Sequence, residues 1–304
     1  MTTNRRKFLT TGAIGATSFL GVVAASKANA QSGNLANPAG VDPTQPVAQA
    51  ITNPDRQLAG KVAIVTGARA NLGRGFAVAL ARHGADVVVH YHRPETVAEA
   101  EETARLVQEQ GSRAVLVQGD LGKSEAVKRL FDQAFESFGR ADILVNNAGA
   151  IVKKPIAEVT DEDLERMINI NTRGNFLCMR EAARRLSDNG RIIHIATSLL
   201  AGAAPNYAAY AGSKAIVEEM TRMGARELGG RGITVNAVSP GPVNTPFFHS
   251  METPETTQFA ANLSVARRLG EISDIVPLVE FLALPSAQWV TGQTIWINGG
   301  YLTR

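Results

Sequence analysis

Tyr210 and Lys214 are the residues whose types and spacing most directly suggest chemistry. They lie four positions apart in residues 207–228, where the pattern predicts a helix, so their Cβ atoms share one face about 5–6 Å apart. A phenol with an ordinary pKa of about 10 is a poor base at neutral pH. A neighbouring ammonium group favours the phenolate and lowers that pKa. The pair is therefore predicted to exchange a proton with a substrate oxygen.

A glycine-framed turn follows the apolar run Val62–Val65 and precedes a helical pattern. It reads Thr66-Gly67-Ala68-Arg69-Ala70-Asn71-Leu72-Gly73. Glycine is needed where a chain bends tightly and where its backbone must approach a pyrophosphate. The helix start behind such a turn offers N–H groups and a favourable dipole to phosphate oxygens. Its place between a strand and a helix predicts a dinucleotide site.

The end of the second predicted strand indicates which dinucleotide is bound. The strand runs into His90-Tyr91-His92-Arg93, and no acid follows until Glu95. An acid there would bind a ribose 2′-hydroxyl, whereas basic groups accommodate a 2′-phosphate. Arg69 in the turn offers a second positive charge. These residues favour NADP(H), with NAD(H) as the alternative.

The elements that must position these groups alternate along the chain from residue 61 onward. Short β-branched runs at 62–65, 87–89, 114–117, 143–145, 192–195, 233–238 and 294–297 are separated by helical patterns at 95–110, 124–138, 161–186 and 207–228. Continuously apolar strands are typical of a parallel sheet covered on both faces. We therefore predict a single-domain α/β protein, a Rossmann-type doubly wound parallel sheet flanked by helices.

The N-terminal segment is predicted to direct export. Arg5 and Arg6 open a charged start, a short apolar run follows, and Ala28-Asn29-Ala30 forms a small-residue cleavage site. This order describes a signal peptide, and the adjacent arginines indicate the twin-arginine type. We predict a signal over residues 1–30, a Pro-rich arm or linker over 31–57, a catalytic domain over 58–304, and a periplasmic location.

Charge and cysteine content exclude several classes of partner. Four of the 31 basic residues lie in residues 1–30, which leaves 27 against 28 acids, so the basic pI of about 9.1 belongs to the signal. Such a balance predicts neither nucleic acid nor a membrane surface as partner, and the apolar run is too short for a stable membrane span. Cys178 is the single cysteine, and the histidines show no metal-ligand spacing. A small-molecule substrate is expected.

These motifs together resemble the short-chain dehydrogenase/reductase superfamily, over about Leu58 to Tyr301. Besides the glycine turn and the Tyr210–Lys214 pair, the chain carries the superfamily's motifs in order: Asp120-Leu121, Asn146-Asn147-Ala148-Gly149, Asn171, Pro240-Gly241-Pro242-Val243-Asn244-Thr245, Val290-Thr291-Gly292-Gln293 and Asn298-Gly299-Gly300. The His-Tyr-His-Arg run is similar to that of pteridine reductases. The middle glycine of the family's turn is Asn71 here, a residue type that tolerates left-handed backbone angles.

The resemblance implies cofactor contacts beyond the glycine turn. The adenosine half is expected to contact Tyr91, His92, Arg93, Asp120, Leu121, Asn147, Ala148 and Gly149. The nicotinamide half is expected to lie against Pro240, Gly241, Val243 and Thr245. Superfamily members usually form tetramers, so a homo-oligomer is expected as well.

The resemblance also implies catalytic roles. Tyr210 is the expected general acid or base, and Lys214 assists it and binds the nicotinamide ribose. The family's substrate-polarising hydroxyl lies thirteen residues before the tyrosine, which is Thr197, although serine is usual there and Ser198 follows directly. Adjacent strand residues point to opposite sides, so only one of the two can serve. Asn171 resembles the asparagine that orders a water relay to the lysine.

The expected reaction is NADPH-dependent reduction of a ketone or aldehyde. The alternatives are a sugar or polyol dehydrogenase, a pteridine reductase and a nicotinamide-binding protein without turnover. Pteridine reductases carry an aspartate where Thr197 stands, which disfavours pterin. The apolar segment Pro246-Phe247-Phe248-His249-Ser250-Met251 is expected to cover an apolar or aromatic substrate.

Overall fold

The computed structural model describes residues 56–303. The predicted export signal and residues 31–55 of the arm lie outside the described residues, so those boundaries stay predictions. Leu58 is 3% exposed, and its N–H donates to the His83 carbonyl at 2.8 Å. The packed chain therefore includes the residue at which we expect the catalytic domain to begin.

Seven parallel strands form one sheet in the order β3-β2-β1-β4-β5-β6-β7. They are β1 (Val62–Val65), β2 (Asp86–Tyr91), β3 (Ala114–Gln118), β4 (Ile143–Asn146), β5 (Arg191–Ile195), β6 (Thr234–Pro240) and β7 (Thr294–Ile297). The order reverses between β1 and β4, so the crossovers leave in opposite directions there and open a crevice at the carboxyl ends of the strands. The predicted doubly wound fold is confirmed.

Helices cover both faces of the sheet. They are α1 (Asn71–Arg82), α2 (Val97–Glu109), α3 (Ser124–Phe138), α4 (Asp161–Met167), α5 (Asn175–Arg185), α6 (Ala208–Lys214), α7 (Ile216–Leu228), α8 (Pro246–His249), α9 (Pro254–Leu263) and α10 (Ile272–Ala283). No helix among residues 56–303 is both long and apolar enough to cross a membrane.

Each inner strand supplies side chains to two separate cores. On β1, Ala63 and Val65 pack with residues of α1 and α10, while Val62 and Ile64 pack with residues of α3 and α5. Side chains of a strand alternate between faces, so a strand covered on both sides must be apolar at every position. This requirement explains the uninterrupted apolar runs of the sequence.

Two predicted helices are interrupted in the structure. Residues 161–186, predicted as one helix, contain a π-helical turn at Ile168–Gly174, which carries the buried Asn171. Residues 207–228 divide at Ala215 into α6 and α7. Periodicity could not show either interruption, because both depend on bonds to other segments. Asn171 bonds to Ala150, and Thr172 Oγ1 donates to the Ser213 carbonyl at 2.8 Å.

The turn after β1 is held closed by an unusually close backbone approach. Gly67 has φ 63° and Asn71 has φ 51°, so both occupy the left-handed region that glycine and asparagine tolerate. A Cβ on Gly73 would lie 2.2 Å from the Gly67 carbonyl oxygen. Only glycine fits at position 73, and the substitution of glycine by Asn71 leaves the turn intact.

His90 locks this turn to the neighbouring strand end. Gly67 N–H donates to its Nδ1 at 3.1 Å, and its Nε2–H donates to the Gly119 carbonyl at 3.0 Å. These bonds require the neutral tautomer with the proton on Nε2. Burial lowers the pKa of His90 to about 4.

The free energy of unfolding should fall as pH drops from 6.5 towards about 4, because the unfolded chain binds a proton on His90 that the folded chain refuses. Above pH 6.5 the contribution is complete. Urea titrations across this window should show a slope shallower by up to about 1.4 kcal/mol per pH unit in His90→Gln than in the unsubstituted protein. His194, whose pKa burial lowers to about 3, supplies pH dependence common to both proteins. Identical slopes would contradict this role of His90.

Candidate active site

A cavity of about 860 Å³ occupies the crevice at the carboxyl ends of the strands. Of the site residues predicted from the sequence, Asn171 is the one that does not line it. The others do: Gly67, Arg69, Asn71, Leu72, Gly73, Tyr91, His92, Arg93, Asp120, Leu121, Asn147, Ala148, Gly149, Thr197, Ser198, Tyr210, Lys214, Pro240, Gly241, Val243 and Thr245. The fold therefore gathers residues from all along the chain around one space large enough for a sizeable ligand.

The start of α1 offers an anion site to this cavity. No side chain caps the helix at Ala70, and the first-turn residues Asn71, Leu72 and Gly73 line the cavity. The free N–H groups of a helix start attract phosphate oxygens. Gly67 and Gly73 have no side chains, so a ligand can approach the backbone of the turn closely. The turn therefore fits the pyrophosphate of a dinucleotide.

Asn147 supports the turn as well as lining the cavity. Its Nδ2 donates to the Thr66 carbonyl at 2.9 Å and to the Gly67 carbonyl at 3.2 Å. Its backbone N–H and that of Ala148 donate to Thr66 Oγ1 at 2.8 and 2.9 Å. The Asn147 side chain, which is expected to contact the nucleoside, thus also bonds to the turn after β1.

The adenosine end of the cavity contains the predicted basic groups. Arg93 lies exposed at the end of β2, and the ring of His92 contacts the Gly119 carbonyl through Nδ1 at 3.3 Å. Asp120 Oδ1 accepts the Gly122 N–H at 3.0 Å and so shapes the loop after β3. Arg93 therefore lies where a 2′-phosphate would be recognised.

Arg69, the second predicted cation, forms an ion pair with Glu99 of α2. Both side chains are nearly half exposed, so solvent weakens this pair. Arg74 fastens the same corner, donating to the carbonyls of Arg69 and Glu99 at 2.8 and 2.9 Å. Glu99 places a negative charge beside the predicted phosphate site, which sequence spacing did not reveal. A phosphate therefore meets less competition at Arg93 than at Arg69, because Arg69 already pairs with Glu99.

Tyr210 lies at the other end of the cavity and is 6% exposed. Burial raises the pKa of Tyr210 to about 12, although a hydrogen bond with the Thr197 side chain acts to lower it. The sequence predicts that Lys214 lowers the pKa of Tyr210, whereas burial raises it. Removing a phenolate from water costs more than the neighbouring groups return. At neutral pH Tyr210 is a protonated hydroxyl that can donate.

Lys214 is on the same face of α6 and is 3% exposed. Its Nζ donates to the Ile195 carbonyl at 2.7 Å, which ties α6 to the end of β5. Burial lowers the pKa of Lys214 to about 8. One donated bond leaves two ammonium protons for other acceptors, and a ribose hydroxyl in the cavity is a suitable one.

The two candidate hydroxyls after β5 point in different directions. Thr197 forms the hydrogen bond with Tyr210. Ser198 Oγ instead donates to the Ser239 carbonyl at 3.0 Å and is buried. The geometry therefore places the hydroxyl of Thr197, and not that of Ser198, beside the phenol.

Asn171 lies behind the site and fixes its wall. Its Oδ1 accepts the Ala150 N–H at 2.9 Å, and its Nδ2 donates to the Ala150 carbonyl and to Ser213 Oγ at 2.8 and 2.9 Å. Both amide protons are used. Asn171 thus joins the loop after β4 to α6, and it holds Tyr210 and Lys214 in position through Ser213.

The substrate end combines aromatic rings with an ion pair. Phe247 of α8 and Tyr207 flank Tyr210, with ring centroids 6.5 and 6.2 Å from that of Tyr210. Phe247 lies in the segment predicted to cover a substrate, and it lines the cavity. Sequence reasoning missed Lys153 and Glu252, which also line it and pair across 99 positions. No local signal links residues so far apart.

Other chemistries lack the necessary groups in the described part of the chain. Residues 56–303 contain no cluster of three or more histidine, cysteine or acidic side chains that could hold a metal ion. His194 is fully buried, with Nδ1 3.3 Å from Asn146 Nδ2, so it is packed inside the sheet layer.

Known proteins are similar to this chain in sequence and in fold. Residues 67–302 match the family described as enoyl-(acyl carrier protein) reductase. A short-chain type dehydrogenase/reductase from Picea abies is 42% identical, over 80% of this chain and 93% of the relative. An NADPH-dependent aldehyde reductase-like chloroplastic protein from Arabidopsis thaliana is also 42% identical, over 83% of this chain and 98% of the relative.

Solved structures of similar fold indicate the same family as these relatives. A protein from Burkholderia cenocepacia with bound NADP superposes with TM-score 0.79 at 40% identity, covering 83% of this chain and 97% of the other. An angucycline C-6 ketoreductase with bound NADP superposes with TM-score 0.76 at 36% identity, covering 81% and 97%. With the glycine turn, the sheet order and the Tyr210–Lys214 pair, these similarities show that the chain belongs to the short-chain dehydrogenase/reductase superfamily of oxidoreductases.

Proposed function

We propose that this protein reduces the carbonyl group of a ketone or aldehyde with NADPH, and that Tyr210 supplies the proton. The observation that carries the proposal is the buried Tyr210, which shares a helix and a cavity with Lys214 and lies beside Thr197, in the same cavity as the phosphate-binding turn. Relatives named as an aldehyde reductase-like protein and a ketoreductase support the reaction class.

NADP(H) is the cofactor that suits the cavity. Arg93 lies exposed at the end of β2, no acid occupies the position that would bind a 2′-hydroxyl, and neighbours of known structure hold NADP. The first turn of α1 would hold the pyrophosphate, and Lys214 would donate to the nicotinamide ribose. When bound, the nicotinamide supplies the hydride that adds to the carbonyl carbon.

The residues of the chain deliver a proton to the carbonyl oxygen. Tyr210 donates its hydroxyl proton to that oxygen as negative charge develops there. Thr197 orients the phenol and offers its own hydroxyl to the same oxygen, which is the role expected of an oxyanion donor. Lys214, a cation below a pH of about 8, stabilises the phenolate that remains. A phenol whose pKa is at or above its ordinary value of about 10 carries its proton at neutral pH, so Tyr210 can donate.

The other candidate functions have less support. An aspartate does not occupy position 197, which disfavours a pteridine reductase. A sugar or polyol dehydrogenase would use the same Tyr210 as a base, and the relatives named as an aldehyde reductase-like protein and a ketoreductase favour reduction over that alternative. An enoyl reductase, the description of the matching family, remains the rival that an assay must separate. A protein without turnover would not require the Thr197–Tyr210 hydrogen bond.

Tyr210→Phe should lower kcat/KM for NADPH-dependent reduction of aromatic aldehydes and ketones by about 10²–10⁴, the usual contribution of a positioned acid. Binding of NADPH should change little, because the ring stays in place. Steady-state absorbance assays and a fluorescence titration of NADPH measure the two quantities. Full turnover in Tyr210→Phe, or turnover of enoyl thioesters alone by the unsubstituted protein, would refute the proposal.

Three variants at the two hydroxyl residues after β5 extend that experiment. Thr197→Val should lower kcat strongly, and Thr197→Ser should restore most of it, because the hydroxyl beside Tyr210 returns. Ser198→Ala removes a bond to the Ser239 carbonyl and should cost about 1 kcal/mol of stability with little loss of turnover. The opposite ranking would assign the role to Ser198.

Arg93→Ala should weaken NADPH by about tenfold or more and leave NADH nearly unchanged, because a charge-assisted bond to the 2′-phosphate is lost. Arg69→Ala should have a smaller effect, since Glu99 already pairs with that side chain. Fluorescence titrations give the dissociation constants of NADPH and NADH for each variant, and these are compared with those of the unsubstituted protein. Equal weakening of NADPH and NADH by Arg93→Ala would show that Arg93 does not recognise the phosphate.

We also propose export by the twin-arginine route, on the grounds of Arg5, Arg6 and the Ala28-Asn29-Ala30 site. That route carries folded proteins, so a cofactor bound before export could accompany the enzyme. N-terminal mass spectrometry of protein from the periplasmic fraction should find a chain beginning at Gln31. Replacing both Arg5 and Arg6 by lysine should retain the full-length chain in the cytoplasm. Recovery of an uncleaved, unexported chain from cells that possess the route would contradict this.

A further inference from the structure

Lys153, Tyr207 and Glu252 form a polar cluster in the otherwise aromatic wall of the substrate end. Glu252 lies between α8 and α9, and its Oε2 is 2.5 Å from Lys153 Nζ. Its Oε1 accepts the hydroxyl of Tyr207. The Glu252 side chain is 4% exposed and the Lys153 side chain 18% exposed. Three separate segments therefore meet in one shielded contact that borders the cavity.

Stability alone gives little reason for this ion pair. Burying two opposite charges costs desolvation energy that their attraction only roughly repays, so apolar residues of similar size would serve as well. Burial acts to raise the pKa of Glu252, but hydrogen bonds from Lys153, Thr256 and Tyr207 hold it below its ordinary value. Glu252 is thus an ionised acceptor kept inside an aromatic pocket.

The cluster is linked to Tyr210 through the ring of Tyr207. The Tyr207 centroid is 6.2 Å from that of Tyr210 and 5.3 Å from Lys153 Nζ. A substrate whose carbonyl oxygen lies at the Tyr210 hydroxyl and whose rings extend along Tyr207 would bring its far end towards Lys153. A flat, fused-ring compound can stack along that path.

The charges define the substituent that fits there. Lys153 donates one of its three ammonium protons to Glu252, which leaves donors for a ligand, and the carboxylate, already bonded by Lys153, Tyr207 and Thr256, has room for about one further donor. The two charges offset each other, so a charged substituent gains little net attraction from the pair. A neutral hydroxyl group, which both donates and accepts, satisfies both partners.

We propose that Lys153 and Glu252 recognise a hydroxyl substituent on the far ring of a fused aromatic ketone, with the ring of Tyr207 as the stacking surface between this site and Tyr210. This inference rests on the proposed carbonyl reduction and names its substrate class. Lys153 and Glu252 are specificity residues, since neither contacts the reacting atoms.

The test compares a two-ring aromatic ketone with the same ketone carrying a hydroxyl on its distal ring. Lys153→Met and Glu252→Gln are combined, so that no unpaired buried charge remains. The matched control combines Lys154→Met with Asp163→Asn, a neighbouring ion pair at 2.5 Å whose members do not line the cavity. Initial rates with NADPH give kcat and KM for both ketones.

The unsubstituted protein should prefer the hydroxylated ketone by about tenfold in kcat/KM, the effect of one hydrogen bond to a charged group. The double variant at Lys153 and Glu252 should lose that preference through KM while keeping its kcat for the plain ketone. The control pair should retain the preference. No preference in the unsubstituted protein, a preference that survives the double variant, or an equal loss for both ketones would overturn the proposal, the last indicating a structural latch.

Equilibrium binding separates this inference from the proposed reaction. Both ketones are titrated calorimetrically into the protein saturated with NADP⁺, where no turnover is needed. Tighter binding of the hydroxylated ketone, abolished only by the double variant at Lys153 and Glu252, supports the recognition site even if neither ketone is reduced. Turnover of simple aldehydes without this binding difference would leave carbonyl reduction intact and refute the site.

Discussion

The contact between the turn after β1 and the loop after β4 supports everything else in the active site. Thr66 Oγ1 accepts the backbone N–H groups of Asn147 and Ala148, and the Asn147 amide returns bonds to the turn. These segments are neighbours because the strand order reverses between β1 and β4, the place where a doubly wound sheet opens a crevice. One buried hydroxyl thus holds the two loops that line the crevice.

The same contact is linked to the proton-donating residues. The loop after β4 continues to Ala150, whose backbone is bound on both sides by Asn171. Asn171 donates to Ser213 of α6, the helix that carries Tyr210 and Lys214. The π-helical turn around Asn171 is one of the irregularities that often mark functional sites. Cofactor turn and proton donor are therefore positioned by one continuous network, and disturbing Asn171 would affect both.

Burial gives the two ends of the cavity different electrostatics. At the cofactor end, exposed arginines and the start of a helix would bind a phosphate at a solvent-exposed surface. Glu99 pairs with Arg69 there and partly neutralises its charge. At the substrate end the ionisable side chains are buried: Tyr210 is protonated, Glu252 is paired with Lys153, and the Lys214 ammonium donates to the Ile195 carbonyl. Low polarity there strengthens each hydrogen bond to a reacting oxygen.

The sequence by itself determined the sheet, the glycine turn and the Tyr210–Lys214 pair, because strand alternation, tight turns and helix-face spacing are properties of neighbouring residues. It left Thr197 and Ser198 unresolved, and it misjudged the pKa of Tyr210. Only the tertiary structure decided those points, along with the Arg69–Glu99 and Lys153–Glu252 pairs. Strand-end direction, burial and contacts between distant segments arise when the chain packs, and no local pattern records the loss of water that raises the pKa of Tyr210.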